Sequence, residues 1–244
     1  MRFMARKGHS LIVRRLNAPT FWRIPRKQYE YAAKPKPGPH PATNCFTIVY
    51  VLRDLLKVAR TLAEAKIILN HGGVMVDGKI RKNPHFPVGL MDIIEIPGLG
   101  KAYRVLPDPL YNLKLSEVTE DTKYKLCKIV NKSTQRGGIV QLNMHDGKNL
   151  IVKTDDANAV YHTNDAVKID VNSNEIADHI PMKEGMIAIV HAGINNGRMG
   201  KITKITRILK NDVATLDDKG TTFETRLEYV FVLGSGKPAI ALGT

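Results

Sequence analysis

From Leu52 onward the apolar positions Leu52, Leu55, Ala59 and Leu62 recur at steps of three and four residues, the spacing of one buried helical face. Thr61 followed by Glu64 forms a capping box, so a second helix is expected to start there, with Ala65, Ile68 and Leu69 on its buried side. Gly72 and Gly73 end it, because glycine accepts the left-handed backbone that closes a helix. The pattern then changes to alternation. Val74-Met75-Val76-Asp77-Gly78-Lys79-Ile80 predicts two short strands about a tight Asp-Gly turn. Pro84, Pro87 and Gly89 mark a loop, and Asp92-Ile93-Ile94-Glu95-Ile96 predicts a further strand, closed by Pro97 and Gly98. Two helices and a small sheet are therefore expected over residues 43–104.

Residues 105–177 alternate over 126–130 and 149–153, with turn clusters at Arg136-Gly137-Gly138 and His145-Asp146-Gly147, and predict a small β domain. Residues 178–233 predict another β unit, in which the stretch from Gly185 to Gly193 and the stretch from Asn195 to Ile202 read as strand, glycine loop, strand. Residues 227–233 supply a last strand, and 234–244 read as a tail that orders only against a neighbour. The opening 42 residues differ in kind. They hold few aliphatic residues and end in Lys34-Pro35-Lys36-Pro37-Gly38-Pro39-His40-Pro41, where alternating prolines forbid a helix or an internal strand. An extended arm is expected, ordered by contacts that a polyanionic partner supplies.

Charge sharpens this division. The chain carries 37 Lys and Arg against 23 Asp and Glu, a formal net charge of +14. The basicity is front-loaded: residues 1–42 carry +9, 43–104 carry +4, 105–177 carry −1 and 178–244 carry +2. Nucleic acid is the partner such a surface suits. No basic amphipathic helix with a bulky apolar face and no apolar run near the roughly 18 residues of a membrane span is evident, so no membrane partner is expected. Cys45 and Cys127 stand far apart and outside any Cys-x-x-Cys pattern, which argues against a disulfide framework or a zinc site, and both are expected to be buried. The first residues lack the apolar stretch of a secretory signal, giving a cytoplasmic expectation.

Catalytic constellations are missing. There is no Gly-x-Ser-x-Gly and no His-Glu-x-x-His. The spacing of Gly193, Gly197 and Gly200 matches neither the dinucleotide fingerprint nor the nucleotide-cradling loop, since Ile202 follows Lys201 where Ser or Thr is required. No cofactor, metal, small-molecule substrate or reaction is expected.

The candidate residues are instead those suited to RNA. In the arm, Arg2, Arg6, Lys7, His9, Arg14, Arg15, Arg23, Arg26 and Lys27 surround Trp22, Tyr29 and Tyr31, a mixture that stacks on bases while neutralising phosphates. In the helical module Arg53, Lys57, Arg60 and Lys66 fall off the apolar positions, and His71, Lys79, Arg81 and Lys82 sit at the helix end and beside the hairpin. The glycine loop adds Asn195, Asn196, Arg198 and Lys201. Lys123, Lys125, Lys128, Lys132 and Arg136 form a local basic run in the near-neutral β domain, which either touches phosphate or joins the flanking domains.

The run from Ala65-Lys66-Ile67-Ile68-Leu69 through Val74-Met75-Val76-Asp77-Gly78-Lys79 to Gly89-x-x-Asp92-x-Ile94 resembles the S4 RNA-binding domain. That resemblance implies RNA contacts from the second helix and the following hairpin, here Arg60, Lys66, His71, Lys79, Arg81 and Lys82. The 185–202 stretch resembles the KOW motif of small β-barrels in ribosomal proteins and transcription factors. With Lys7-Gly8-His9, Ala18-Pro19, Trp22 and Phe86-Pro87-Val88-Gly89-Leu90-Met91-Asp92, nearly the whole chain resembles the archaeal and eukaryotic ribosomal protein family S4e. Tyr31-Ala32-Ala33-Lys34 departs from it, standing where that family carries Trp and Arg.

The resemblance implies a multidomain α+β and β protein: a basic extended N-terminal arm (1–42), an S4-type RNA-binding domain of helices and a small sheet (43–104), a central β domain (105–177), a C-terminal KOW-containing β-barrel (178–233) and a tail (234–244). It implies a structural constituent of the small ribosomal subunit in the cytoplasm, with small-subunit ribosomal RNA and neighbouring ribosomal proteins as partners. S4 domains are also fused to pseudouridine synthases, whose catalytic Asp lies in an Arg-Leu-Asp context. The nearest match here, Arg226-Leu227-Glu228, carries the wrong acid.

Overall fold

The computed structural model describes residues 10–25, 27, 29–119, 122–136, 139–152, 160–208, 212–218 and 220–241, so the candidate residues Arg2, Arg6, Lys7, His9 and Arg26 lie outside it. The described chain is mostly β-sheet with two short α-helices, built on three hydrophobic cores.

The arm is not merely extended. Strand β1 (Ile12–Arg14) pairs antiparallel with β2 (Tyr31–Ala33), and between them Trp22 and Ile24 drop into the first core. The Trp22 ring stacks on Tyr50 with centroids 5.2 Å apart, its Nε1–H donates to the Cys45 carbonyl at 3.0 Å, and the Tyr50 hydroxyl accepts the Arg23 amide. The expectation that the arm needs a polyanion to order is corrected for these residues. Its few apolar side chains are too sparse for a core of their own but suffice to cover the exposed face of the adjoining helices. Residues 34–41 contain no helix or strand, as their prolines require.

The next unit begins with β3 (Phe46–Thr47), which pairs with β6 (Pro87–Val88), and α1 (Ile48–Tyr50), which continues as a wider turn over Val51–Leu55. Thr47 Oγ1 caps the helix by accepting the Tyr50 amide at 3.3 Å. The expected first helix is therefore shifted: it starts before Leu52 and includes neither Ala59 nor Leu62. Phe46, Ile48, Val49, Tyr50, Val51 and Leu52 are all buried, and a continuous apolar run shows no helical period. The helix stops because Lys57 takes φ +55°, and the Leu52 carbonyl accepts the amides of Val58 and Ala59 at 2.8 and 3.2 Å.

Helix α2 (Leu62–Asn70) starts at the expected capping box, with Thr61 Oγ1 accepting the Glu64 amide at 3.2 Å. The Glu64 carboxylate reaches one residue further back than the usual motif, accepting the Arg60 amide at 2.7 Å. Ala65 and Leu69 are buried and Ile68 half-buried. Strands β4 (Met75–Val76) and β5 (Lys79–Ile80) form the expected hairpin, with φ +48° at Asp77 and +68° at Gly78, the primed turn that matches strand twist. They join β7 (Ile93–Ile96), β8 (Lys101–Asp108) and β9 (Asn112–Val118) in a sheet ordered β5-β4-β7-β8-β9. Strand β8 runs through residue 104, where the sequence division falls, and the sheet ends at Val118.

The central sheet, ordered β12-β11-β10-β13-β14, consists of β10 (Tyr124–Thr134), β11 (Val140–Met144), β12 (Asn149–Val152), β13 (Ala166–Asp170) and β14 (Ile176–Ile180). The last sheet, ordered β18-β17-β16-β15-β19, consists of β15 (Ile187–Val190), β16 (Met199–Thr206), β17 (Val213–Asp218), β18 (Thr221–Arg226) and β19 (Val230–Gly234). Leu227–Tyr229, expected as strand, forms a 3-10 turn before β19. Cys45 and Cys127 are buried and free, as expected.

The tail folds back on the chain through Ala241, against the expectation that it needs a neighbour. Ile240 is buried, and the fully buried Arg104 guanidinium donates to the carbonyls of Ala241 and Tyr124 at 2.6 and 3.0 Å. Lys168 Nζ donates to the Ala239 carbonyl at 3.1 Å.

Candidate nucleic-acid interface

The helix end and the hairpin meet as the sequence suggested. The Arg81 amide donates to the Val74 carbonyl at 3.2 Å, and the Ile80 side chain covers Gly72. Around this junction Arg60, Lys66, His71, Lys79 and Lys82 are exposed, while the Arg81 guanidinium lies 4.3 Å above the Phe86 ring. Just past the neighbouring helix Lys57 is exposed, whereas Arg53 within it pairs with Asp54 at 2.8 Å and lies over Tyr29.

The arm residues divide. Arg14 and Lys27 are exposed. Arg15 is turned inward, its NH2 group donating to the Ile24 carbonyl at 2.7 Å, and the Arg23 guanidinium caps the Tyr111 ring at 3.5 Å. Trp22 is 4% exposed, so it packs the core and presents no face to a base.

The glycine loop also divides. Lys201 is exposed, and the Arg198 guanidinium rests 4.1 Å above Phe223. Asn195 Nδ2 donates to the Glu224 carbonyl at 3.1 Å. Asn196 is buried, its Nδ2 donating to the carbonyls of Asp108 and Asn112 at 2.9 and 3.0 Å. Gly197 has φ +77°, and a Cβ there would fall 2.5 Å from Pro109 Cδ. Half of this loop therefore clamps the β8–β9 turn instead of facing solvent. That clamp places the loop beside the arm across one cleft of about 710 Å³, lined by Val13, Thr20 and Lys34 on one side and Gly193 and Asn196 on the other.

The basic run 123–136 is largely internal. Lys125 is 1% exposed, and its ammonium contacts the carboxylates of Asp92, Asp77 (2.7 Å) and Asp146 (3.0 Å). His40 Nε2 lies 3.0 Å from Asp92 Oδ2. Burial by itself would push the Asp92 and Asp146 carboxyls up, but Lys125 overrides it with help from His40 at Asp92 and His145 at Asp146. The net direction is down, to about 2 for Asp146. Burial likewise opposes charge on Lys125, and the three carboxylates hold it protonated well above the ordinary lysine value. His145 is pushed down to about 3 by burial and the Lys125 charge.

Lys128, 5% exposed, donates to the carbonyls of Glu228 and Val230 at 2.6 and 2.8 Å, and burial lowers it to about 8. Lys132 donates to the Tyr161 carbonyl at 2.7 Å. Lys123 and Arg136 are exposed. Of the two roles the sequence left open for this run, Lys125 and Lys128 perform the joining one, tying β10 to the S4-like sheet and to the last sheet. This seam was missed as a site because its three acids come from three separate turns. The available signal was β10 itself, where two lysines interrupt a stretch buried on both faces.

Among the described residues no group of three His, Cys, Asp or Glu side chains is disposed to hold a metal. No helix among them is long and apolar enough to cross a membrane.

Comparison with known proteins adds the family context. Residues 7–43 match the family model described as the RS4NT (NUC023) domain, 48–94 the S4 domain, and 99–176 ribosomal family S4e. The chain is 42% identical to the small ribosomal subunit protein eS4 of Staphylothermus marinus over 98% of each chain. It is 40% identical to the protein of that name from Methanocaldococcus jannaschii, over 98% of this chain and 100% of that one. The crystal structure of 30S ribosomal protein S4e from Thermoplasma acidophilum, 32% identical, superposes with a TM-score of 0.69 over 79% of this chain and 96% of that one.

Proposed function

Since the chain belongs to the ribosomal protein family S4e, we propose that it is a structural constituent of the small ribosomal subunit, held there by ribosomal RNA and flanked by other ribosomal proteins. The observation that carries this reading is the end-to-end match, at 40–42% identity, to relatives named for that subunit. The role is binding and scaffolding in the ribosome of the cytoplasm, with no reaction.

The proposed RNA grip is the exposed basic surface, Arg14 and Lys27 of the arm, Lys57 and Arg60 beside the helices, and Lys66, His71, Lys79 and Lys82 around α2 and the hairpin, together with the half-buried Arg81. Arg2, Arg6, Lys7, His9 and Arg26 join it as proposed contacts on sequence alone. The last sheet is read as the KOW unit, with Asn195, Arg198 and Lys201 as its proposed contacts. The units proposed are the arm, an S4 unit carried through β9, the central sheet and the KOW unit. Phosphate neutralisation predicts that log affinity falls with log salt at a slope of roughly −0.7 to −0.9 per phosphate contacted, and folded RNA is read by shape.

The test is sedimentation of small subunits through a sucrose gradient after a high-salt wash. One copy of the protein per subunit is expected; loss to the top of the gradient would refute residence in the subunit.

A further inference from the structure

The turn His145-Asp146-Gly147-Lys148 of the central sheet lies against the hairpin of the S4 unit. Between them is a cleft of about 420 Å³, lined by Asp77, Lys79, Arg81, Phe86, Asp146 and Lys148. Three acids in or under this cleft would ordinarily repel an anion. Their six oxygens are already engaged. Asp77 accepts the Ile93 amide and Lys125, Asp92 accepts the Gly89 amide and Lys125 with His40 alongside, and Asp146 accepts the Lys148 amide and contacts Lys125.

The cations are less committed. The Lys148 ammonium stands 3.7 and 3.8 Å from Asp77 and Asp146, beyond hydrogen-bond length. Lys79 is exposed, and Arg81, half-buried with its guanidinium over the Phe86 ring, lines the cleft in no ion pair among the described residues, its buried Nε having no hydrogen-bond partner there. Lys125, Lys148, Lys79 and Arg81 outnumber Asp77, Asp92 and Asp146, so the mouth of the cleft has unspent positive charge.

Its geometry is also set in advance. A Cβ on Gly78, at the hairpin tip, would meet Val171 Cγ1 at 3.0 Å and Asn172 Oδ1 at 3.1 Å, so the tip is seated against the central sheet's own turn while Lys125 ties Asp77 from below.

We propose that this cleft is a composite phosphate site, in which Lys148 of the central sheet joins Lys79 and Arg81 of the hairpin on one stretch of ribosomal RNA backbone. The inference rests on the RNA-binding reading above and extends the RNA surface onto a unit whose net charge is near neutral.

The experiment uses the full chain and transcribed small-subunit ribosomal RNA, with affinity measured by filter binding from 0.1 to 0.5 M salt and each variant's melting temperature recorded. Lys148→Gln is expected to lower the magnitude of the salt slope by about 0.7–0.9 and to weaken binding about five- to eightfold at 0.1 M salt. Lys148→Arg, which keeps the charge, is expected to bind as the parent does. An unchanged slope in Lys148→Gln, or an equal loss in Lys148→Arg, overturns the composite site while leaving ribosomal RNA binding intact. A parent protein without salt-dependent binding overturns both.

Discussion

Removing the charge at the centre of the seam gives the sharpest test of how the units are joined. Lys125→Met keeps most of the side-chain volume and deletes the ammonium that Asp77, Asp92 and Asp146 share. Breaking a buried ionic cluster from one side costs about 3–5 kcal/mol, because the carboxylates left behind remain desolvated. For a chain of this size each kcal/mol moves the melting temperature by about 2–4 °C, so a fall of roughly 6–20 °C is expected in thermal melts followed by circular dichroism.

The pH dependence identifies the cause. In the parent, Asp92 and Asp146 are held below the unfolded carboxylate value of about 3.9, so their stabilisation is present above that value and is lost as pH falls through the folded one, about 2 for Asp146. Neither group gives a slope between pH 5 and 7. In Lys125→Met the burial that pushes these carboxyls up loses its main opposition. Their folded values then rise above the unfolded ones, and the penalty is largest at pH 7 and eases on acidification. The gap between variant and parent must therefore narrow from pH 7 to 5. A gap below about 1 kcal/mol at pH 7, or one that widens toward pH 5, refutes the view that unpaired carboxylates drive the loss. Adding Asp92→Asn and Asp146→Asn to Lys125→Met should restore part of the stability, since the stranded charges are removed with their partner.

Trp22→Ala is expected to cost about 3–5 kcal/mol in urea unfolding and to speed protease cleavage of the arm, whereas Trp22→Phe, which keeps a ring on Tyr50 and loses the bond to the Cys45 carbonyl, should cost about 1–2 kcal/mol. Lys128 is depressed to about 8, so the unfolded chain binds more protons than the folded one from there to the ordinary 10.5; stability should rise with pH across that window, and urea midpoints of Lys128→Met should lack that contribution. Gly197→Ala forces a Cβ to within 2.5 Å of Pro109 at φ +77°, and a loss of about 1–3 kcal/mol in thermal melts is expected.

The elements legible in the sequence were those specified by neighbours in the chain. The Thr61 cap, the Asp77-Gly78 turn and the strand–loop–strand about Gly193 and Gly197 depend on hydrogen bonds and φ angles within a few residues, and they formed as expected. The first helix was displaced because its buried run is apolar all round and so carries no period. The arm and the tail were misread for a different reason. Each has too little apolar surface to fold alone, and the surface that completes it, Tyr50 for Trp22 and Arg104 for Ala241, is 28 and 137 residues away.

The same distance effect governs the candidate site. A local count of cations cannot separate a lysine that meets phosphate from one that meets aspartate, since the choice depends on which acids the fold delivers. Lys125 meets Asp77 and Asp92 from 48 and 33 residues away, and Lys128 reaches carbonyls at Glu228 and Val230 from the opposite direction. Both lysines lie on β10, which is buried on both faces at that point, so each must find an internal acceptor or remain as an uncompensated charge. Lys79, Lys82 and Lys66 occupy a hairpin edge and an open helix face, where no such requirement applies and their charge stays available to an external anion. The basicity of the chain thus serves two ends, and burial decides between them: cations under the sheets hold the units in register, and that register is what sets the exposed cations of the hairpin and of Lys148 side by side.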